Sequence, residues 1–310
     1  MRCLGVNNFF KKIVHHQEGG SLALVALSLG AILIMTGLVI DGGHLIQQKI
    51  QLQKTANAVA LSGAQELPNS IENVNEVVAT ILSSHGETNS LDHLDILEKE
   101  LRVSLKKEVA LYFASLLGVD NVTVSANAAA GLFPMGSAKS AVPLGIDESV
   151  ELIYGQTYQL KVDAGDSVSG NFGVLALEGP GAKLYGDSLK YGFGEQLTVG
   201  NIINTQTGNI AGATRDGVNY RIANCPYPVG EYEQRDCSRI MLIIVYKPRS
   251  ITNGKLNSVE VTGFAYFYIT SQMSSTDDSI KGIFIKRTGT GFADLNRPLD
   301  RGAYAIRLVE

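Results

Sequence analysis

The sequence predicts an α+β protein in which a transmembrane helix near the N-terminus continues into a long helix, followed by a small α/β unit and a β-rich C-terminal domain. The run Ser21 to Ile40 contains twenty residues without a charge. Apolar and small residues continue at helical spacing beyond it. Gly and Pro thicken late in the chain, with 23 of 33 glycines and seven of eight prolines after Ala130. That shift marks a change from helix-rich to strand-and-turn-rich chain near Gly131 to Pro143. The expected divisions are a cytoplasmic tail over 1–20, an anchor over 21–41, a helical and αβ region over 42–131, and a β-rich extracytoplasmic domain over 132–310.

The apolar run is long enough to cross ~30 Å of hydrocarbon as a helix at ~1.5 Å per residue. A cleaved signal usually has a shorter apolar stretch ending at a small-x-small site. Here the first Ala-x-Ala matches, Ala56 to Ala58 and Ala58 to Ala60, lie well downstream, which favours a retained anchor. Arg2, Lys11 and Lys12 precede the run, against Lys49 and Lys54 after it, a narrow margin for orientation. The cysteines add to it. Cys225 and Cys237 have a spacing that suits a disulfide in an oxidising compartment, with Cys3 left reduced inside. Two unlinked buried thiols are the alternative. The reading is a single-pass chain with its N-terminus inside and its C-terminal domain outside.

Beyond Asp41, Leu45, Ile46, Ile50, Leu52, Ala56, Val59, Ala60, Gly63 and Ala64 sustain the helical pattern, and Pro68-Asn69 ends it. If Gly42-Gly43 only kinks this helix, it reaches about Leu67. Ala56, Ala60, Gly63 and Ala64 form a small-residue face that lets another backbone approach closely. Its occupant is either a second, pilin-like helix or the chain's own head. Ile71 to Ser84 reads as an amphipathic helix, followed by a polar loop, HGETNSLDH. Leu101, Val103 and Leu105 alternate as a strand, Val109 to Leu117 fit one helical face closed by Gly118, and Val122, Val124 and Ala126 alternate again. Type IV pilins likewise place a Glu near the start of their membrane helix. Ile13 stands where their leader is cut after a small residue, which speaks against such cleavage here.

The stretch EGGSLALVALSLGAILIMTGLVIDGGHLIQQKIQLQKTANAVALSGAQELP resembles the N-terminal region of TadG-like and TadE/TadG-like proteins of the Tad (Flp pilus) assembly system. In that family a Gly-rich start, a membrane helix ending in an Asp-Gly or Asp-x-Gly step, and a Leu-Gln-x-x-x-Asp/Asn-Ala-x-Ala-Leu-Ala-Gly-Ala-x-Glu-Leu-Pro run recur. Leu52-Gln53, Asn57-Ala58, Ala60-Leu61 and Gly63 to Pro68 match residue by residue, whereas Thr55 and Asn57 stand where the family more often has Ala and Asp. LRVSLKKEVALYFASLLGVDNVTVSANAAA is similar to the family's second block, so the resemblance spans about residues 18–131. A segment from GNFGVLALEGPGAKLYGDSLKYG to GNIAGATRDGVNYRI also resembles TadG-related proteins of Gram-positive bacteria, and brings no known activity.

In the C-terminal region YQLKV, GVLAL, QLTV and VNYRI are strand-length runs between turn residues. RIMLIIVY is apolar throughout, as expected at the centre of a sheet, and pairs with SVEVTGFAYFYI through a turn at Asn253-Gly254. In the latter, Val259, Val261, Ala265, Phe267 and Ile269 should share one face. IKGIFI and AYAIRLV are two further strand candidates.

Catalytic and metal motifs do not assemble. Gly186-Asp187-Ser188-Leu189 spells the opening of a GDSL esterase, but no histidine follows His93 to act as its base, so a Gly-Asp-Ser turn is expected. His15, His16, His44, His85 and His93 offer no HExxH, and the later cysteines have no nearby His. His85, Glu87, Asp92, His93 and Asp95 read as a solvated loop before they read as a metal site. Asp166-Ser167-Val168-Ser169-Gly170 misses the spacing of a von Willebrand A metal site, Gly192-Phe193-Gly194 lacks the context of a phosphate loop, and Asp277-Asp278 reads as a solvated turn. The formal charge of -4 and the absence of a basic, aromatic-interleaved run exclude a nucleic-acid surface. No cofactor is expected, and no small-molecule ligand is identifiable.

Together with the resemblance, these residues imply a non-enzymatic, membrane-anchored part of a Tad-type pilus or related secretion apparatus, whose partners are the membrane and other pilin-like or Tad-system proteins. A tethered surface adhesin or ligand-binding β domain is the alternative, and a secreted hydrolase has the least support.

Overall fold

The structure is a computed structural model that describes residues 20–161, 172–206, 210–253, 255–275, 279–293 and 298–309. The basic N-terminal tail with Cys3, the Asp166 to Gly170 motif, and Asp277-Asp278 lie outside the described residues. The architecture is α+β, with one long apolar helix at the N-terminal end and a β-rich remainder.

Helix α1, Gly20–Ala64, is continuous over 45 residues, about 67 Å at ~1.5 Å per residue. Gly42 and Gly43 do not interrupt it. Its N-terminal half is apolar all round and exposed, with Leu22 at 77% and Met35 at 69%, whereas Leu52, Ala56, Val59, Ala60 and Ala64 are buried. Ile46 and Ile50 belong to the sequence's apolar pattern, yet they face outward. Helix α2, Ile71–Ser84, follows the expected bounds and buries Val74, Val78 and Leu82 at helical spacing. Ser70 caps it, its Oγ accepting from the Asn73 N–H at 3.1 Å.

Strands β1 (Leu91–Ile96), β2 (Glu100–Ala110) and β3 (Asn121–Ala138) come next. The polar loop is therefore shorter than expected, because Leu91, Asp92 and His93 already belong to β1. The helix expected over Val109 to Leu117 does not form either. Val109 belongs to β2, which ends at Ala110, and only a 3₁₀ turn, Ala114–Leu117, remains before Gly118 stops it in the left-handed region at φ 87. Val109, Tyr112, Phe113, Leu116 and Leu117, although at helical spacing, also fit a strand end plus one tight turn, and the strand's long-range pairing decides.

The remaining strands are β4 (Ala141–Asp147), β5 (Thr157–Lys161), β6 (Phe172–Val174), β7 (Leu197–Thr198), β8 (Ile202–Asn204), β9 (Ile240–Thr252), β10 (Lys255–Ile269), β11 (Ser279–Ile285), β12 (Arg287–Thr288), β13 (Phe292–Ala293) and β14 (Ala303–Val309). Helices α3 (Ala182–Tyr191) and α4 (Ala211–Ala223) separate β6, β7, β8 and β9. One sheet has the order β1-β2-β3-β14-β12, with β7 and β13 also on β3; the other has the order β5-β11-β10-β9-β4-β6, with β8 on β10. VNYRI, expected as a strand, is the second half of α4. Five residues with alternating apolarity match both periods, and Val218 and Ile222, four apart, are the two that enter the core.

Helix α1 crosses two packing units. One comprises residues 20–56, 82–94 and 103–127; the other comprises 57–81, 95–102 and 128–309. In the second unit β9 is central, antiparallel to β10 and parallel to β4. Asn253, φ 51, makes the tight connection between β9 and β10. The expected single face of β10 is split by a register shift between Val261 and Gly263. Val259, Val261 and Phe264 therefore pack with Ile244, Tyr246, Met135 and Ala305, while Ala265, Phe267 and Ile269 pack on the other side with Ile243, Val245, Leu189 and Val218. One extra residue inverts the side-chain alternation, so both faces of the sheet are covered.

Candidate functional site: the Asp41 clamp and the far end of helix α1

Asp41 is the first charged residue after the apolar run, and it is 3% exposed. Its Oδ1 accepts from the Tyr112 N–H at 2.9 Å, and its Oδ2 accepts from Phe113 and Ala114 at 2.9 and 2.7 Å. One carboxylate thus satisfies three successive backbone donors at the point where β2 has ended and the 3₁₀ turn begins. Charge-assisted bonds of this kind are worth about 1.5–3 kcal/mol each. One turn earlier, Gly37 lets the Phe113 ring approach the helix. A Cβ there would sit 2.6 Å from Phe113 Cβ and Cγ. Gly42 and Gly43 have open space instead. The His44 and Tyr112 rings, 5.3 Å apart, close the clamp from above.

Further along the helix, Lys49 donates to the Ser125 carbonyl, Gln53 donates to the Asn127 carbonyl at 2.7 Å, and Thr55 shares a 3.1 Å hydrogen bond with His85. Glu87, buried, accepts from Lys107 at 2.6 Å and from the Ser90 hydroxyl. His85 and Glu87 are thus placed in different contacts, and no grouping of three or more His, Cys, Asp or Glu that could hold a metal occurs among the described residues.

At the far end of α1 the small-residue face is occupied by the chain itself. Ala56, Ala60 and Ala64 are fully buried, and a Cβ on Gly63 would lie 2.4 Å from Leu101 Cδ2 and 3.2 Å from Val78 Cγ2. Of the two occupants open from sequence, this is the chain's own head, and no room is left for a second helix. Cys225 and Cys237 form a disulfide with Cα atoms 4.8 Å apart. The loop that it closes reaches back to the helix end: Arg235 pairs with Glu66 at 2.5 Å, and Glu233 accepts from Asn73 at 3.1 Å. Arg287 supports it by donating to the carbonyls of Tyr232 and Gln234 at 3.0 and 3.2 Å. Burial pulls the Arg287 guanidinium below its ordinary pKa, leaving it cationic at neutral pH.

Arg221, in α4, fixes the other end of the disulfide loop. It donates to the carbonyls of Leu189 at 2.5 Å, Ser238 at 3.1 Å and Ile240 at 3.3 Å, and the Ser238 hydroxyl returns a bond to the Arg221 carbonyl at 2.6 Å. Burial pulls its pKa down to about 10, so it remains charged at neutral pH. The alternation of VNYRI concealed this role. Ser188 of the GDSL motif lies inside α3, not in a turn, and is buried, its hydroxyl donating to Glu178 at 2.9 Å. Gly192, which caps that helix at φ 83, leads into the buried Phe193, so Gly192-Phe193-Gly194 is a helix stop.

A family model described as "Putative Flp pilus-assembly TadE/G-like" matches residues 20–66. This stretch is similar to TadE/G-like proteins. It coincides with α1 plus two residues, and it contains Gly37, Asp41, the small-residue face and Glu66. The matched segment therefore holds one partner of the clamp contacts, through Gly37 and Asp41, and of the Glu66–Arg235 pair to the disulfide loop. No curated protein and no solved structure matches the chain.

Proposed function

We propose that the protein is a membrane-anchored, non-catalytic component of a Tad-type pilus-assembly apparatus, with its β-rich part on the extracytoplasmic side. The observation that carries this is the coincidence of the TadE/G-like match with a helix of two halves, the first apolar and exposed, the second packed on the head. An apolar stretch of this length that finds no cover in the protein is stabilised by lipid. It is the one helix among the described residues that is long and apolar enough to span a membrane. The disulfide supports an oxidising compartment for the head. The small-residue face is used internally, so contacts with other assembly proteins fall to the exposed surface of the head and to the membrane helix.

Deleting the gene should abolish pili recovered by shearing, and the wild-type chain supplied in trans should restore them; unchanged piliation would overturn the assembly role. Normal pili with lost surface attachment would instead favour the tethered adhesin. Orientation is tested separately with protease added to intact spheroplasts, which should digest the chain beyond the membrane helix. Protection of that region would place the head inside.

A further inference from the structure

Leu111 to Val119 contains no charged residue; Leu111 and Ala114 are buried, whereas Tyr112, Phe113, Leu116, Leu117 and Val119 face outward, with Leu116 82% and Leu117 63% exposed. These two leucines and Phe113 line one cleft with Leu33, Ile34 and Leu38 of the apolar half of α1. Ile34 lies about 10 Å from Asp41 along the helix axis, at ~1.5 Å per residue. The turn therefore runs beside the last two turns of the segment read as membrane-spanning.

A turn can enter hydrocarbon only if its backbone donors are satisfied within the protein. Here Tyr112, Phe113 and Ala114 donate to Asp41. Leu111 donates to the Asp120 carbonyl at 2.9 Å, Leu116 to Phe113 at 3.1 Å, Gly118 to Ser115 at 3.0 Å and Val119 to Ala114 at 3.1 Å. The Ser115 hydroxyl donates to the Tyr112 carbonyl at 2.9 Å. An exposed turn in water needs no buried carboxylate to hold three of its amides. The His44 and Tyr112 rings sit at the level of Asp41, where amphipathic aromatic groups favour the membrane boundary.

We propose that the Leu111 to Val119 turn is a second membrane contact, a wedge that dips into the leaflet at the Asp41 end of the span, where acyl chains cover Leu116 and Leu117. This rests on the membrane-spanning reading of α1. The wedge fixes the rotation of the helix about its own axis, because a single helix alone can turn freely in lipid.

The chain has no tryptophan, so one introduced indole reports alone. Three full-length variants, Leu116→Trp, Leu29→Trp and Tyr191→Trp, are reconstituted in phosphatidylcholine vesicles whose acyl chains are brominated either near the headgroup or near the bilayer centre. The proposal expects Leu116→Trp to emit to the blue of Tyr191→Trp and to lose most of its intensity to shallow bromine. Leu29→Trp should be quenched by deep bromine, and Tyr191→Trp by neither. If Leu29→Trp is quenched while Leu116→Trp is not, the wedge is wrong and the span stands. A red emission from Leu116→Trp would then mean water, and a blue one cover by another copy of the chain. If Leu29→Trp is also unquenched, the span reading fails and the wedge fails with it.

Discussion

Asp41 shows how one side chain can tie a distant turn to a helix where its apolar run ends. Its carboxylate offers two oxygens to three amide donors, and an amide in its place would offer one oxygen and two unwanted hydrogens. Asp41→Asn should therefore destabilise the turn by about 2–4 kcal/mol. Hydrogen exchange on the full chain in detergent would show this as lost protection at residues 112–114, with β10 unchanged. Gly63→Val meets Leu101 and Val78 at the other end of the helix and should cost about 1–3 kcal/mol of head stability, read by denaturant unfolding, while membrane insertion persists. Asp300 supplies a pH dependence. Burial alone would raise its carboxyl, but hydrogen bonds from Lys99 at 2.6 Å, the Gly302 N–H at 3.2 Å and Tyr304 outweigh this and hold it below the ordinary value of 3.8. A depressed folded pKa gives stability that is complete above the unfolded value and lost as pH falls through the folded one. The difference in unfolding free energy between wild type and Asp300→Asn should therefore be roughly 1 kcal/mol at neutral pH and shrink below pH 3.8.

Among the elements, helices α1 and α2 were legible because length and a 3.6-residue period agree over many turns. Strands β9 and β10 were legible from a continuous apolar run, an alternating run and an Asn at the turn. Short pieces were not. The Val109 to Leu117 segment and VNYRI each offered few residues to a period test, and long-range packing chose against the first reading in both. The bulge in β10 has no composition signal, so the division of its apolar residues between two faces could not be read. The clamp was half visible: the sequence marked Asp41 as a boundary, but its partners lie more than seventy positions away. The disulfide loop is the element whose stability is most easily tested. Reducing the bond, or Cys225→Ser with Cys237→Ser, should cost about 2–4 kcal/mol and free Arg235 from Glu66, measured as a lower melting temperature under reducing conditions.

At the scale of the whole molecule, the anchor and the β-rich part were foreseeable, and the way the chain closes on itself was not. β3 runs without a break through residue 131, and its partner β14 ends at Val309. Tyr304 stands opposite Pro134 and Val309 opposite Ala129, a pairing that no local pattern announces. Removing residues 132–310 cuts β3 and deletes the strand beside it, so that truncation should yield an unfolded, protease-sensitive product instead of a working stalk. Limited proteolysis of membranes carrying it would check this.

The β3 and β14 pair also sets an order of events during synthesis. While the chain is synthesised N-terminus first, β3 waits with one edge of amides and carbonyls unpaired until β14 arrives. Until then the exposed edge is a template on which another chain can add a strand, and pairing with β14 takes that edge away. Folding of the β-rich part is thus a race between a distant segment of the same chain and any neighbour that reaches the edge first.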